Sequence, residues 1–225
     1  MINTFLFVIF PYLAVILAVL FSVYRYYTEA YSFSTVSTQF LEDKKLFWAS
    51  LPWHYGILSL LLAHLLAVLF PASWGHLLGS PTRLYVLEAT GLALGLLTVL
   101  GVAGLLARRM TSVKVAVITN TMDLVLLVAL LFQAASGVYI AAFLRWGSAW
   151  YLDLAVPWLW SLVRLSPQPN ALVALPWIIK LHIIGAFVLV LLFPFSKLVH
   201  TLFNPFKYLR RSPQLVIWQR NSPWE

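Results

Sequence analysis

Five apolar stretches, each long enough to cross a lipid bilayer, limit what this chain can fold into more than any other feature. Crossing about 30 Å of hydrocarbon takes roughly 20 residues in a helix. The stretches cover residues 4–24, 50–70, 84–107, 121–143 and 172–200. Of the 225 residues, 62% are hydrophobic and only 10% are charged, whereas about a quarter of a soluble domain is charged. The sequence therefore predicts an all-α integral membrane protein, with five transmembrane helices bundled in a single domain over residues 1–225.

The first stretch and the cysteine content narrow the class further. No Lys or Arg precedes Arg25, and a cleavable signal peptide needs a basic region ahead of its apolar core. We therefore expect the first stretch to remain as a span. The chain contains no cysteine, which excludes disulfides, thiolate-held iron–sulfur clusters and covalent c-type haem attachment.

The basic residues lie mostly on one side of the predicted membrane. Five spans put the termini on opposite sides, and loops rich in Lys and Arg face the cytoplasm. Eleven of the 15 basic residues follow span one, span three or span five: Arg25, Lys44, Lys45, Arg108, Arg109, Lys114, Lys197, Lys207, Arg210, Arg211 and Arg220. The sequence predicts an outer N-terminus and a basic cytoplasmic tail from about residue 202. This topology explains the net charge of +8 better than nucleic-acid binding does, since the charges form no continuous stripe.

Residues 146–165 are apolar enough to suggest a sixth crossing. Asp153, Pro157 and Arg164 argue against it, and a sixth span would place the basic tail outside. Four tryptophans, a residue that prefers the membrane surface, lie here: Trp146, Trp150, Trp158 and Trp160. We therefore expect an interfacial helix at the outer surface between spans four and five.

Glycines recur in span three. Gly91 and Gly95 form a GxxxG pattern, and Gly101 and Gly104 follow. Small residues let helix backbones approach closely. We expect these glycines to pack within the bundle and infer no homodimer from them.

Four histidines lie inside or at the ends of spans two and five: His54, His64, His182 and His200. Ionisable side chains at membrane depth are costly to bury, so each is a functional candidate. The two spans run antiparallel, which places His54 and His200 near the cytoplasmic end and His64 and His182 near the outer end. Paired imidazoles give a six-coordinate, low-spin haem that transfers electrons and leaves no position for oxygen. The sequence predicts two such haems, stacked across the membrane.

The two histidines of span two and the two of span five are spaced differently along their helices, so the helices cannot hold two haems if both are straight and parallel. Residues 54 and 64 are separated by about 15 Å of rise and lie roughly 80° off a common face. Residues 182 and 200 are separated by about 27 Å on nearly one face of a continuous helix. Helix tilt and a bend at Pro194 are expected to reconcile the two spacings, with the irons about 20 Å apart. Three small residues beside the ligands are expected to leave room for the macrocycle: Gly56, Ala63 and Gly185.

The four histidines also admit roles without haem. A single membrane histidine can simply hydrogen-bond a neighbouring side chain or carbonyl. Zinc is the rival metal, although its sites usually include cysteine or a carboxylate. A proton relay in a small transporter or membrane anchor is the alternative from another class. His76, in a short loop with Trp74 and Gly75, is expected to be a surface residue.

Three stretches resemble a known family. They are Trp-His-Tyr-Gly-Ile-Leu at 53–58 with Ala63-His64, Lys-Leu-His at 180–182 with Phe-Pro-Phe-Ser-Lys-Leu-Val-His at 193–200, and the run from Asp123 through Gln133 to Gly137. Over almost the whole chain, the sequence resembles the gamma subunit of respiratory membrane-bound nitrate reductase.

The resemblance implies a dihaem cytochrome b with five spans in a prokaryotic inner membrane. It implies that membrane quinol is oxidised near the outer face, and that electrons pass through two b-type haems to an iron–sulfur subunit and a molybdenum catalytic subunit, which the chain anchors on the cytoplasmic side. Matching positions assign His64 with His182 to the outer haem and His54 with His200 to the inner haem. Cytochromes b of other quinone-linked oxidoreductases, such as formate dehydrogenases and hydrogenases, resemble the chain less.

The chain departs from the family at the expected quinol site. Ala63 stands where a glycine is usual, and Tyr85 takes the position of a lysine that helps to bind quinol. Arg83 is the nearest basic residue and the predicted quinol contact. The resemblance also makes His64 the predicted proton acceptor, as a ligand imidazole expected at the edge of the outer haem. Glu88 is a second candidate acceptor, although a solvated carboxylate is the favoured interpretation.

Polar residues elsewhere in the spans are compatible with structural roles as well as functional ones. Asp123 is expected to cap span four, and Gln133 is expected to bond across helices in preference to approaching a haem. Arg108, Arg109 and Lys114 either pair with inner haem propionates or with acidic patches on a partner, or simply set the topology.

Overall fold

The computed structural model describes residues 2–28, 44–144 and 147–201. These residues form helices and turns, with no β-strand among them. Five helices are long and apolar enough to cross a membrane: Ile2–Thr28, Leu46–Leu69, Pro81–Thr111, Thr121–Phe143 and Trp177–Phe195. The protein is therefore an all-α, multi-pass membrane protein, as predicted. The predicted basic tail and Trp146 lie outside the described residues.

Shorter helices connect the spans. They cover Pro71–Leu78, Val113–Ala116, Gly147–Trp150, Tyr151–Val163 and Asn170–Val173. Below, the N-terminal end of the bundle is the end where span one begins, and the C-terminal end is the end where span five finishes.

The spans are arranged in an open arc. Span two packs along span three, three along four, four along five, and five along one. Among the described residues, the backbone of span two has no extensive contact with that of span five or span one. A gap therefore separates the backbones of span two and span five. Span two carries His54 and His64, span five carries His182, and His200 follows the end of span five.

Spans two and three approach closely at two glycines. A Cβ on Gly101 would collide with the backbone of Trp53, and a Cβ on Gly56 would collide with Oγ1 of Thr98. Gly56 therefore faces span three, and the prediction that it leaves room for a macrocycle is wrong. These facing positions set the register of the antiparallel pair, in which Glu88 lies within about one turn of the depth of His64.

Other glycines of span three also serve packing within the bundle. A Cβ on Gly95 would come within 2.9 Å of Val138 in span four, and a Cβ on Gly104 within 3.0 Å of Ala49 in span two. Gly91 faces open space. The expected packing role is therefore confirmed for Gly95, Gly101 and Gly104.

The helix Tyr151–Val163 crosses the N-terminal end of the bundle. The indole nitrogen of Trp158 donates to the carbonyl of Phe7 in span one at 3.0 Å, and that of Trp160 donates to the carbonyl of Val68 in span two at 3.0 Å. Trp150 and Trp158 are only 8% and 2% exposed, so they form part of the core. The short helix lies between spans four and five, as predicted, but these two indoles are buried in one cluster with side chains of spans one, four and five.

The regular helix of span five ends at Leu192. Pro194 lies in a 3-10 turn, and Ser196 is extended, with φ −114° and ψ 176°. Proline has no N–H and its ring clashes with the preceding turn, so the helix stops where a bend was expected. The continuous helix assumed for the spacing of His182 and His200 is therefore wrong.

Arg25 of span one holds this break in place. Its Nη1 donates to the carbonyl of Pro194 at 2.5 Å and to that of Ser196 at 3.2 Å. Carbonyls that leave a helical ladder at membrane depth need a donor. Arg25 supplies it and joins span one to the end of span five.

Candidate functional site

The predicted outer pair lies toward the N-terminal end of the bundle. His64 is in the last two turns of span two, and His182 is in the second turn of span five. The structure therefore places these two side chains at the same end of the bundle, on helices whose backbones do not pack extensively together.

The predicted inner pair lies at the C-terminal end. Trp53, next to His54, and Leu198, two residues before His200, pack in the same hydrophobic cluster. From His182 to Leu192 the helix of span five rises about 15 Å, the same rise as from His54 to His64. Because the helix stops before His200, the rise of about 27 Å that a continuous helix would give does not apply to this pair.

Three of the histidines direct Nδ1 toward a main-chain carbonyl of the preceding turn. The distances are 2.7 Å from His54 to Ser50, 2.7 Å from His64 to Leu60 and 2.5 Å from His200 to Lys197. A carbonyl only accepts, so Nδ1 carries the proton and the lone pair of the ring lies on Nε2. Metal-ligating histidines usually have this arrangement, in which the remote nitrogen is oriented by a hydrogen bond.

His182 has side-chain partners on span four. Its Nδ1 lies 2.9 Å from Oγ of Ser136, and Nε2 of Gln133 donates to its carbonyl at 3.1 Å. Gly137 lies under the ring, since a Cβ there would be 3.1 Å from Cε1 of His182. The predicted interhelical role of Gln133 is confirmed. Gly185 faces Oε1 of Gln133 and does not leave room for a macrocycle, contrary to the prediction.

These donors fit haem better than a bare metal ion. Among residues 2–28, 44–144 and 147–201, no group of three or more His, Cys, Asp or Glu side chains could hold a metal ion. A porphyrin supplies four equatorial nitrogens and needs only two axial imidazoles from the protein. Two pairs of histidines with oriented rings therefore match two b-type haems.

Tyr151 contacts the exposed side of the predicted outer site. Its ring centroid is 5.0 Å from that of His64 in an edge-on arrangement, and its hydroxyl donates to the carbonyl of His64 at 3.2 Å. Burial raises the pKa of Tyr151 to about 12, so the phenol stays a neutral donor near neutral pH. Sequence reasoning missed this residue because nothing in an apolar surface helix indicates which side chain meets span two.

The contacts of His64 do not suit a proton acceptor. Nδ1–H is donated to Leu60, and an axial ligand would give the lone pair of Nε2 to iron, so neither nitrogen of a haem-bound His64 would be free to accept a proton. Acceptance of the quinol proton by His64 stays a prediction, and this geometry argues against it. A haem-bound His64 would instead be a hydrogen-bond donor, through the Nδ1–H that it shares with Leu60.

Arg83 is anchored on the loop helix Pro71–Leu78. Its Nε donates to the carbonyl of Leu77 at 3.1 Å and its Nη2 to that of His76 at 2.9 Å. The imidazole of His76 is exposed, as predicted. Arg83 is thus at the same end of the bundle as His64. These two hydrogen bonds use Nε and Nη2 and do not involve Nη1.

A cluster of charges lies at the C-terminal end. Asp123 is 5% exposed and binds Lys197 at 2.7 Å and Arg109 at 3.2 Å. It also completes a capping box with Asn120 at the start of span four, so the predicted capping role is confirmed, with Asn120 as the N-cap. Because Lys197 also supplies the carbonyl that orients His200, the cluster connects spans three and four to the predicted inner pair. Of the other two cations considered, Arg108 is buried and Lys114 is exposed.

Comparison with known proteins identifies the family. Residues 3–219 match the family described as the nitrate reductase gamma subunit. The nitrate reductase gamma chain of Bacillus subtilis (strain 168) is 30% identical over 218 residues, which cover 95% of this chain and 96% of that protein. The respiratory nitrate reductase 1 and 2 gamma chains of Escherichia coli (strain K12) are 33% and 32% identical, with the same two coverages. Because the matches run through nearly the whole chain and the whole of these relatives, this five-span protein belongs to the nitrate reductase gamma subunit family.

Proposed function

We propose that this protein oxidises membrane quinol near the outer face of a prokaryotic inner membrane and passes the electrons inward to the catalytic part of a nitrate reductase. Family membership supports a membrane cytochrome b subunit of an oxidoreductase complex. The partners proposed are a cytoplasmic iron–sulfur subunit and a molybdenum subunit, which the chain also anchors. The observation that carries the proposal is the set of four oriented imidazoles at two depths of the bundle.

The ligand assignment follows from the neighbours of each histidine. His64 and His182 are proposed to hold the outer haem, and His54 and His200 the inner haem. Two such haems supply one-electron transfer through six-coordinate iron and do not bind oxygen. The chain's part is to keep each Nδ1 protonated and each ring aimed, so that Nε2 is ready to coordinate.

Quinol is proposed to bind at the N-terminal end, beside His64. Nδ1–H of His64 and Nη1 of Arg83 are the proposed donors to the quinol oxygens, and the ring of Tyr151 contacts His64 on this side. Since His64 has no lone pair free, the proton acceptor must be another group. Glu88, half-buried and at a similar depth on span three, is the proposed acceptor.

The proposed orientation gives the reaction a direction. The excess of Lys and Arg after spans one, three and five favours a cytoplasmic C-terminal end. Quinol protons then leave on the outside while electrons cross to the inside. Each turnover would separate charge across the membrane.

Optical and redox spectroscopy of the whole complex tests this function. Two b-type haem signals, both reduced by a quinol analogue, are expected. Replacing His182 with Ala is expected to remove the outer haem and leave the inner one, and replacing His54 or His200 is expected to do the reverse. A complex without b-type haem would refute the electron-transfer role, and haems that quinol does not reduce would refute quinol oxidation. Loss of both haems from every one of these variants would refute the pairing.

A further inference from the structure

We propose that Ser136 is a positioning residue that fixes the tautomer of His182 and thereby lowers the reduction potential of the outer haem. This inference rests on the proposed function, because it takes His182 to be an axial ligand. Ser136 lies on span four, outside the two spans that carry the histidines. It is 4% exposed.

The direction of the Ser136 hydrogen bonds follows from its single proton. Oγ donates to the carbonyl of Gln133 at 2.9 Å, and a carbonyl only accepts. With the hydroxyl proton on that carbonyl, the contact of 2.9 Å between Oγ and Nδ1 of His182 is a bond in which Nδ1–H donates to the hydroxyl oxygen. This places the lone pair of the imidazole on Nε2.

Gln133 leads to the same tautomer independently. Its amide nitrogen is identified by the hydrogen bond of 3.1 Å to the carbonyl of His182, since the amide oxygen could not donate there. The same nitrogen lies 3.3 Å from Nε2 of His182. An N–H group facing Nε2 requires a lone pair on Nε2, so the proton is again on Nδ1. Iron would take this lone pair in place of the N–H of Gln133, whose amide would then keep only its bond to the carbonyl of His182.

His182 differs from the other three histidines in the kind of acceptor. Nδ1 of His54, His64 and His200 faces main-chain carbonyls, which no substitution removes. Nδ1 of His54 also lies 3.1 Å from Oγ of Ser50, but the carbonyl of Ser50 remains when that hydroxyl is lost. Among the four histidines, only Nδ1 of His182 has a side-chain hydroxyl and no main-chain carbonyl as its acceptor. The outer haem is therefore the one whose ligand can be altered by a single side-chain change on a neighbouring helix.

The expected effect follows from ligand basicity. A hydrogen bond from Nδ1–H makes the imidazole a stronger donor to iron, and this favours the oxidised state. The bond from Ser136 to Gln133 polarises the hydroxyl and strengthens its acceptor oxygen. Without the hydroxyl, the outer haem should become easier to reduce, while the inner haem should not change.

Redox titration of membranes that contain the complete complex tests the inference. Ser136→Thr and Ser136→Val have side chains of nearly equal size that differ in a hydroxyl. The potential of the outer haem is expected to stay at the wild-type value in the Thr variant and to rise in the Val variant and in Ser136→Ala. The inner haem of the same sample serves as the internal control.

Ser161→Ala is the matched control variant. Ser161 is also buried and also donates to the carbonyl three residues earlier, that of Trp158, but its other bond is from a backbone N–H. No shift of either potential is expected. Equal outer-haem potentials in the Thr and Val variants would overturn the inference. A wild-type complex without two b-type haems would instead overturn the proposed function.

Discussion

At the scale of single residues, the main-chain carbonyl of Leu60 determines which nitrogen of His64 carries the proton. It accepts the hydrogen bond of Nδ1–H at 2.7 Å, so on the proposed assignment Nε2 would bind iron and neither nitrogen would be left for a quinol proton. Sequence identified His64 from its position in an apolar span, because burial of an ionisable group is visible in sequence. Its hydrogen-bond partner was not predictable, since main-chain geometry leaves no mark on residue identity.

Replacing Glu88 with Gln should slow quinol oxidation if its carboxylate accepts the quinol proton. A positioned base contributes about 10²- to 10⁴-fold to a rate, so kcat should fall by at least about a hundredfold, with both haems retained. Steady-state oxidation of a quinol analogue measures this. Asp153→Asn, which removes an exposed carboxylate of the helix Tyr151–Val163, is the control. Equal rates for Glu88→Gln and wild type would exclude the role.

Ser136 illustrates a different limit of sequence reasoning. Several serines lie in or near the spans, and no feature of residue type separates this one from the others. Only the packing of span four on span five brings its hydroxyl to His182. Gln133 was easier to single out, because a carboxamide in an apolar helix already suggests an interhelical bond.

At the scale of helices, the contact between spans two and three depends on the absence of one side chain. A Cβ on Gly101 would collide with the backbone of Trp53, and backbone atoms cannot move aside as a flexible side chain can. The GxxxG pattern drew attention to span three, but it did not say which glycines meet another helix. Gly91, the first of the pattern, faces open space.

Gly101→Ala should therefore destabilise the bundle, and Gly91→Ala should not. Overpacking costs about 1–3 kcal/mol, whereas alanine in an uncrowded helix is favoured over glycine by about 1 kcal/mol. Thermal unfolding of the two purified variants in detergent, side by side with wild type, measures the difference. Equal midpoints for the two variants would contradict the close approach of Gly101 to Trp53.

The end of the span-five helix at Leu192 could not be predicted from hydropathy. Residues 193–200 include several apolar side chains, so the apolar stretch continues after the helix has stopped. Pro194 gave a warning, but proline in a membrane span is compatible with either a kink or an end. Ser196 and Arg25 decide between them by satisfying the groups that the helix leaves unpaired.

At the scale of the whole molecule, the number and order of the spans were predictable, and span four was predicted at its observed limits. Hydropathy reports how apolar a segment is, which is enough to find a crossing. It does not distinguish lipid from protein interior, so the buried positions of Trp150 and Trp158 were missed. The open arc was also not predictable, because the sequence does not state which spans pack side by side.

Fusion reporters can test the orientation on which the direction of electron flow depends. A reporter joined after His200 or within residues 112–120 is expected to behave as cytoplasmic, because basic residues lie in or next to these segments. A reporter placed within residues 71–80 should behave as exported. The opposite pattern at these three positions would reverse the proposed direction of electron transfer.

The broken end of span five has a consequence for how the protein is assembled. His200 follows all five spans along the chain, on a segment held by Arg25 of span one and, through Lys197, by Asp123 of span four. Membrane insertion in chain order supplies both anchors before His200 arrives, while His54 must wait for its partner from the second span onward. On the proposed ligand assignment, the pair at this end would be completed only after the five spans are in place, and loading of its haem would report that the whole bundle has been built correctly.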